Sequence, residues 1–79
     1  MKVKIQFFGM IAELVGRDSL ELEAFDGFLL NEVESFLLGE FPKLQNMTYT
    51  MSLNRQIVNG KSRLTQHNEI ALLPPFAGG

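Results

Sequence analysis

No cysteine occurs among the 79 residues, which removes thiol nucleophiles, cysteine-ligated zinc, CxxC redox pairs and disulfide staples together. Any sulfur chemistry must be carried by another group, and the fold must hold by packing alone. Histidine occurs once, at His67, with no second ligand to share a metal and no nucleophile to serve, so it reads as a turn residue. Glycine-rich phosphate-binding loops are missing. No basic stripe with interleaved aromatics appears, and the net charge of −2 argues against nucleic acid as a partner. No apolar run approaches the length of a membrane span. The start Met1-Lys2-Val3-Lys4 does not lead into a signal peptide, because Gln6, Gly9 and Glu13 interrupt the apolar stretch and no Ala-x-Ala site follows. The expectation is a cytoplasmic chain with no membrane partner, no metal and no bound cofactor.

What the chain does have is a core. A hydrophobic content of 46% with seven Phe supplies one, and the length allows one domain, residues 1–79. A domain this small buries only about 60% of the surface its unfolded chain exposes, so stability is expected to be modest. Charge is unevenly spread. Asp18, Glu21, Glu23, Asp26, Glu32, Glu34 and Glu40 follow one another with no Lys or Arg between them. This stretch reads as a solvated face, or as a surface that steers a basic partner. Glu13, after an apolar stretch, reads as structural. No carboxylate pair sits where burial would tune it for acid–base work.

Polar–apolar alternation in Lys2-Val3-Lys4-Ile5-Gln6-Phe7 predicts a strand with Val3, Ile5 and Phe7 inward. Residues 10–15 suit a short helical segment with Gly16 as its C-terminal cap. Alternation returns at 19–23, giving a second strand antiparallel to the first. Asp26 is then placed to cap a helix over 28–41, with Leu30, Val33, Leu37 and Phe41 on one face. Gly39 weakens the end of that helix and Pro42 stops it. A loop is expected at 46–50. Short strands at 51–53 and 56–58 turn at Asn54-Arg55, and a further turn lies at Asn59-Gly60. Leu64 is an apolar peg in a polar connection, and Gln66-His67-Asn68 forms a turn before the last strand at 69–73, with Ile70 and Leu72 inward. The fold class is α+β: a mixed sheet with one main helix across one face. If the first and last strands pair side by side, the tail leaves from the middle of the sheet.

That tail, residues 74–79, is the one chemically unusual feature. Pro74 and Pro75 have fixed φ and no N–H, so they extend the chain away from the sheet without joining it. Gly78 and Gly79 have no Cβ and pass where a side chain would jam. The Gly79 carboxylate is therefore an unhindered acyl group, useful only if a partner activates it with ATP. A lysine nucleophile would then give conjugation, and a sulfur donor a thiocarboxylate.

Phe7-Phe8-Gly9, Glu13-Leu14-Val15-Gly16, Ser52-Leu53-Asn54, Glu69-Ile70-Ala71 and Pro74-Pro75-Phe76-Ala77-Gly78-Gly79 together resemble the small subunits of molybdopterin synthase, over nearly the whole chain. The resemblance implies a ubiquitin-like β-grasp fold with a flexible Gly-Gly tail. It implies that Gly79 is adenylated by a ubiquitin-activating-type adenylyltransferase using ATP. Sulfur from a donor protein then gives the thiocarboxylate, and the tail enters a large synthase subunit to build the molybdopterin dithiolene. It also implies a heterotetramer with two copies of each subunit. On this reading Gly79 alone has a covalent role, Gly78 allows passage, and Ala77, Phe76, Pro75 and Pro74 aim the tail. Phe76 either fills a pocket on the partner or folds back onto the core. Two departures stand out: Ala12 where the family often has Arg, and His67-Asn68-Glu69 where it often has Asp-Gly-Asp-Glu. The segment Leu53-Asn54-Arg55-Gln56-Ile57-Val58 is also similar to the sulfur carriers of thiamine synthesis. A ubiquitin-like protein modifier and a plain binding module are the readings from other classes.

Overall fold

The computed structural model describes residues 2–24, 27–64 and 68–75. Strand β1 (Lys2–Phe7) leads through helix α1 (Gly9–Val15) to β2 (Ser19–Glu23). The main helix α2 (Leu30–Glu40) and a 3-10 helix (Pro42–Asn46) follow, then β3 (Thr50–Leu53), β4 (Gln56–Ile57) and β5 (Asn68–Leu73). The five strands form one sheet in the order β2-β1-β5-β3-β4. β1 and β5 run parallel, with Ile5 opposite Ile70, and the other three pairings are antiparallel. The first and last strands therefore sit side by side, as their regular alternation predicts, and β5 is the central strand.

Alternation decides which face is covered. Val3, Ile5, Phe7, Ile70 and Leu72 are buried on one face, and Leu30, Val33 and Leu37 of α2 pack into the same core. Ile11 of α1, Leu44 of the 3-10 helix and the peg Leu64 complete it. Full burial of one such aliphatic side chain contributes about 1.5–3 kcal/mol. Phe41 is half-buried just beyond α2, and its ring meets that of Phe7 edge to face, with centroids 6.1 Å apart and planes at 76°. That geometry places the positive ring edge on the negative face. The acidic stretch is partly accounted for on the β1–β2 ladder, where Glu23 stands opposite Lys2 and Glu21 opposite Lys4. Opposite charges across strands contribute about 0.2–1 kcal/mol each.

Several boundaries differ from the sequence expectation. The main helix starts at Leu30 rather than at 28 and ends at Glu40, because its N-terminus is held by backbone from far along the chain. Leu30 N donates to Ser62 O and Asn31 N to Gly60 O, both at 2.8 Å. Glu32 Oε1 accepts from Leu29 N at 2.9 Å. Leu29 is the N-cap position, so the expected cap at Asp26, which lies outside the described residues, is not what starts the helix. Pro42 does stop α2, but it also opens the 3-10 helix, where its missing N–H has no partner to lose. Thr50 belongs to β3 and Asn68 to β5, whereas Val58 falls outside β4. Gly16 caps α1 as expected, at φ +85° with its N–H on Ala12 O. The Gln66-His67 turn lies outside the described residues.

Candidate functional site: the root of the tail and the open sheet face

β5 delivers the tail. Its ladder ends at Leu73, opposite Thr50, and the next residue is Pro74, which has no N–H to continue the pairing. Beside it, Phe8 N donates to Leu72 O at 3.3 Å, tying the exit of β1 to the last turn of β5. Gly9 follows in a left-handed conformation, φ +55°, and a Cβ there would stand 3.3 Å from the ring carbon Cγ of Pro74. Gly9 thus forms a seat for Pro74. The first tail residue is partly buried there and Pro75 is exposed. The two prolines begin the tail at the centre of the sheet, as the strand reading implies. Phe76, Ala77, Gly78 and Gly79 lie outside the described residues.

The face of the sheet opposite α2 is uncovered among the described residues. The outward positions of β5 are Glu69, Ala71 and Leu73, so its last two are apolar. With Phe8, Arg55 and Ile57 they line a groove of about 430 Å³. Phe8 is 43% exposed and Ile57 64% exposed. At one rim, Asn54 and Arg55 turn β3 into β4 with φ of +51° and +70°. Asn54 is fastened to β5: its N–H donates to Glu69 O at 2.8 Å, and its Oδ1 accepts from Glu69 N at 2.9 Å. Asparagine tolerates this conformation, but for arginine the left-handed region is unfavourable by about 1–2 kcal/mol.

Chemistry intrinsic to the chain is sparse. Among the described residues no group of His, Asp and Glu could hold a metal ion, and no helix is long and apolar enough to cross a membrane. Glu13 is exposed on α1. The one perturbed titratable group is Tyr49. Burial, and then the Glu34 carboxylate that accepts its hydroxyl at 2.6 Å, hold the phenol well above its ordinary range. This pair ties α2 to the approach of β3, away from the tail. Sequence reasoning reached Pro74 and Pro75. It missed Gly9 as their seat and the groove beside them. The apolar outward positions Ala71 and Leu73 were the readable signal for that groove.

Comparison with known proteins fits this arrangement. The ThiS family pattern matches residues 5–79. Molybdopterin synthase sulfur carrier subunits from Caenorhabditis briggsae and Caenorhabditis elegans are 31% and 29% identical to the chain, covering 100% of it and 99% of their own lengths. Subunit 1 of a molybdopterin converting factor from Pyrococcus furiosus superposes with a TM-score of 0.87 at 19% identity, over 96% of this chain and 99% of that one. Small archaeal modifier protein 1 from Haloferax volcanii superposes at 0.82 and 16%, over 95% and 98%. These two show the fold, that of the ubiquitin-like β-grasp proteins. Subunit 1 of the Helicobacter pylori molybdopterin-converting factor, solved in complex with subunit 2, is 28% identical over 100% of both chains, with a TM-score of 0.72. By its family match and its full-length relatives, the chain belongs to the ThiS family of sulfur carriers.

Proposed function

We propose that the chain is the sulfur carrier subunit of molybdopterin synthase and that the Gly79 carboxylate is the group that carries sulfur. The observation behind this reading is the full-length likeness to molybdopterin synthase sulfur carrier subunits, in a chain whose sequence ends in Gly-Gly. The fold supports it by launching Pro74 from the central strand. An adenylyltransferase joins the Gly79 carboxylate to AMP from ATP, releasing pyrophosphate. A sulfur nucleophile then displaces AMP, and the thiocarboxylate forms. Sulfur passes to the pterin precursor inside the large subunit, and water returns the carboxylate. Activation is needed because a free carboxylate resists nucleophiles, and AMP is a good leaving group. Gly78 leaves room in a narrow channel, while Ala77, Phe76, Pro75 and Pro74 hold the reacting end clear of the sheet. The chain supplies no catalytic side chain of its own.

The test is reconstitution with activating enzyme, sulfur donor, large subunit and precursor. The intact chain supports dithiolene formation and the chain lacking Gly79 does not. Equal activity from both would remove the terminal carboxylate from the reaction. The second reading, a thiamine-pathway carrier, draws on the segment 53–58. Co-purification with a thiazole synthase in place of a large synthase subunit would favour it.

A further inference from the structure

The groove beside the tail poses a question that sulfur carriage alone does not answer. Phe8 and Ile57 are large, apolar and exposed there, and β4, which carries Ile57, is a two-residue edge strand. Exposed apolar side chains on a sheet edge invite unwanted pairing unless something covers them. Arg55 adds a second oddity. The turn it completes is already fixed by the two hydrogen bonds between Asn54 and Glu69, and its φ of +70° is one that glycine adopts without strain. Arginine therefore does nothing for the turn that glycine would not do better. What it provides is an exposed guanidinium at the rim of an apolar groove. Strain of this kind points to function.

The groove is also continuous with the tail. Ala71 and Leu73 form part of its lining, and Leu73 leads directly into Pro74. A protein that draws in the tail must come down on this face. Glu69 in the lining and the net charge of −2 disfavour a phosphate-bearing occupant. Resting on the function proposed above, we propose that this groove docks the large synthase subunit, and that Arg55 determines the choice by pairing with a carboxylate on an otherwise apolar contact patch. Arginine suits the role because its planar guanidinium gives two parallel hydrogen bonds to a carboxylate.

The test is calorimetric binding of the full chain to the large subunit at low and high salt, with thermal melting of every variant. Arg55→Gly is expected to melt at the wild-type temperature or above it, yet to bind about tenfold more weakly or worse and with a shallower salt dependence. Arg55→Glu is expected to bind more weakly still. Lys43→Glu makes the same charge change on the 3-10 helix, on the covered side of the sheet, and is expected to bind like wild type. Wild-type affinity in Arg55→Gly or Arg55→Glu would overturn the proposal. So would an equal loss in Lys43→Glu, which would reduce the effect to net charge, or a lowered melting temperature in Arg55→Gly, which would make Arg55 a turn residue. The function and the docking fail separately. A chain that acquires a thiocarboxylate but does not bind the large subunit sinks the docking alone. One that binds through Arg55 but never acquires sulfur sinks the function alone.

Discussion

Gly9 and Pro74 are 65 residues apart in sequence and meet at the exit of the sheet, where the missing side chain of one makes room for the ring of the other. Two demands fall on position 9 at once. Its φ of +55° disfavours any L side chain, and a Cβ would press on Pro74 at 3.3 Å. Gly9→Ala is expected to destabilise the chain by about 1–2 kcal/mol from the backbone term alone. It should also shift the root of the tail. Denaturant unfolding measures the first effect, and the rate of sulfur transfer at unchanged affinity for the activating enzyme measures the second. Unchanged stability would mean that the left-handed conformation at Gly9 is not required.

Tyr49 is the only tyrosine and there is no tryptophan, so phenolate absorbance reports this residue alone. Its raised pKa means the folded chain holds the phenolic proton more tightly than the unfolded chain does. The stabilisation is therefore fully present below the unfolded value of about 10 and is lost as pH rises through the folded one. In the native chain the phenolate band should rise at clearly higher pH than in the chain unfolded by denaturant. Tyr49→Phe should lose about 1 kcal/mol at neutral pH, with the difference from wild type shrinking in strong alkali. Coincident titration of folded and unfolded chains would show that the Glu34 contact does not persist in solution.

Glycines 39 and 60 should respond to alanine with opposite signs. A Cβ at Gly60 would stand 3.0 Å from the Asn31 Cβ, beside the Gly60 carbonyl that helps start α2. Gly60→Ala is expected to cost about 1–3 kcal/mol through overpacking. A Cβ at Gly39 meets nothing within 4 Å, and the residue lies in α2. Gly39→Ala should stabilise by up to about 1 kcal/mol. Thermal melts of both variants check this, and a shift of the same sign in both would contradict it.

Local pattern predicted the parts of the fold that local pattern controls. Strict alternation placed β1, β2 and β5, and Leu30, Val33 and Leu37 placed the buried face of α2. The start of α2 was hidden because the carbonyls that receive its N–H groups belong to residues 60 and 62, and backbone acceptors leave no side-chain signature. The 3-10 helix was hidden because Pro42 was read only as a stop, not as a first position. Arg55 was hidden for a related reason: Asn-Gly announces a left-handed turn, whereas Asn-Arg does not. For the site, Pro74 and Pro75 were legible from their chemistry. Gly9 was not, because its role depends on a neighbour supplied by the opposite end of the chain.

The central claim is that Gly79 becomes a thiocarboxylate. The direct measurement is intact mass after incubation with ATP, a sulfur donor and an activating enzyme proven competent on another carrier, followed by thiol-selective alkylation. Alkylation is needed because replacing oxygen by sulfur nearly matches the mass of one oxidised methionine, and the chain has four methionines. With no cysteine present, the alkyl group has no side-chain thiol to modify. One adduct, localised by fragmentation to Gly79 and absent without ATP, is the predicted result. No adduct under those conditions would contradict the account and leave a β-grasp protein that binds partners or is conjugated to them, but carries no sulfur.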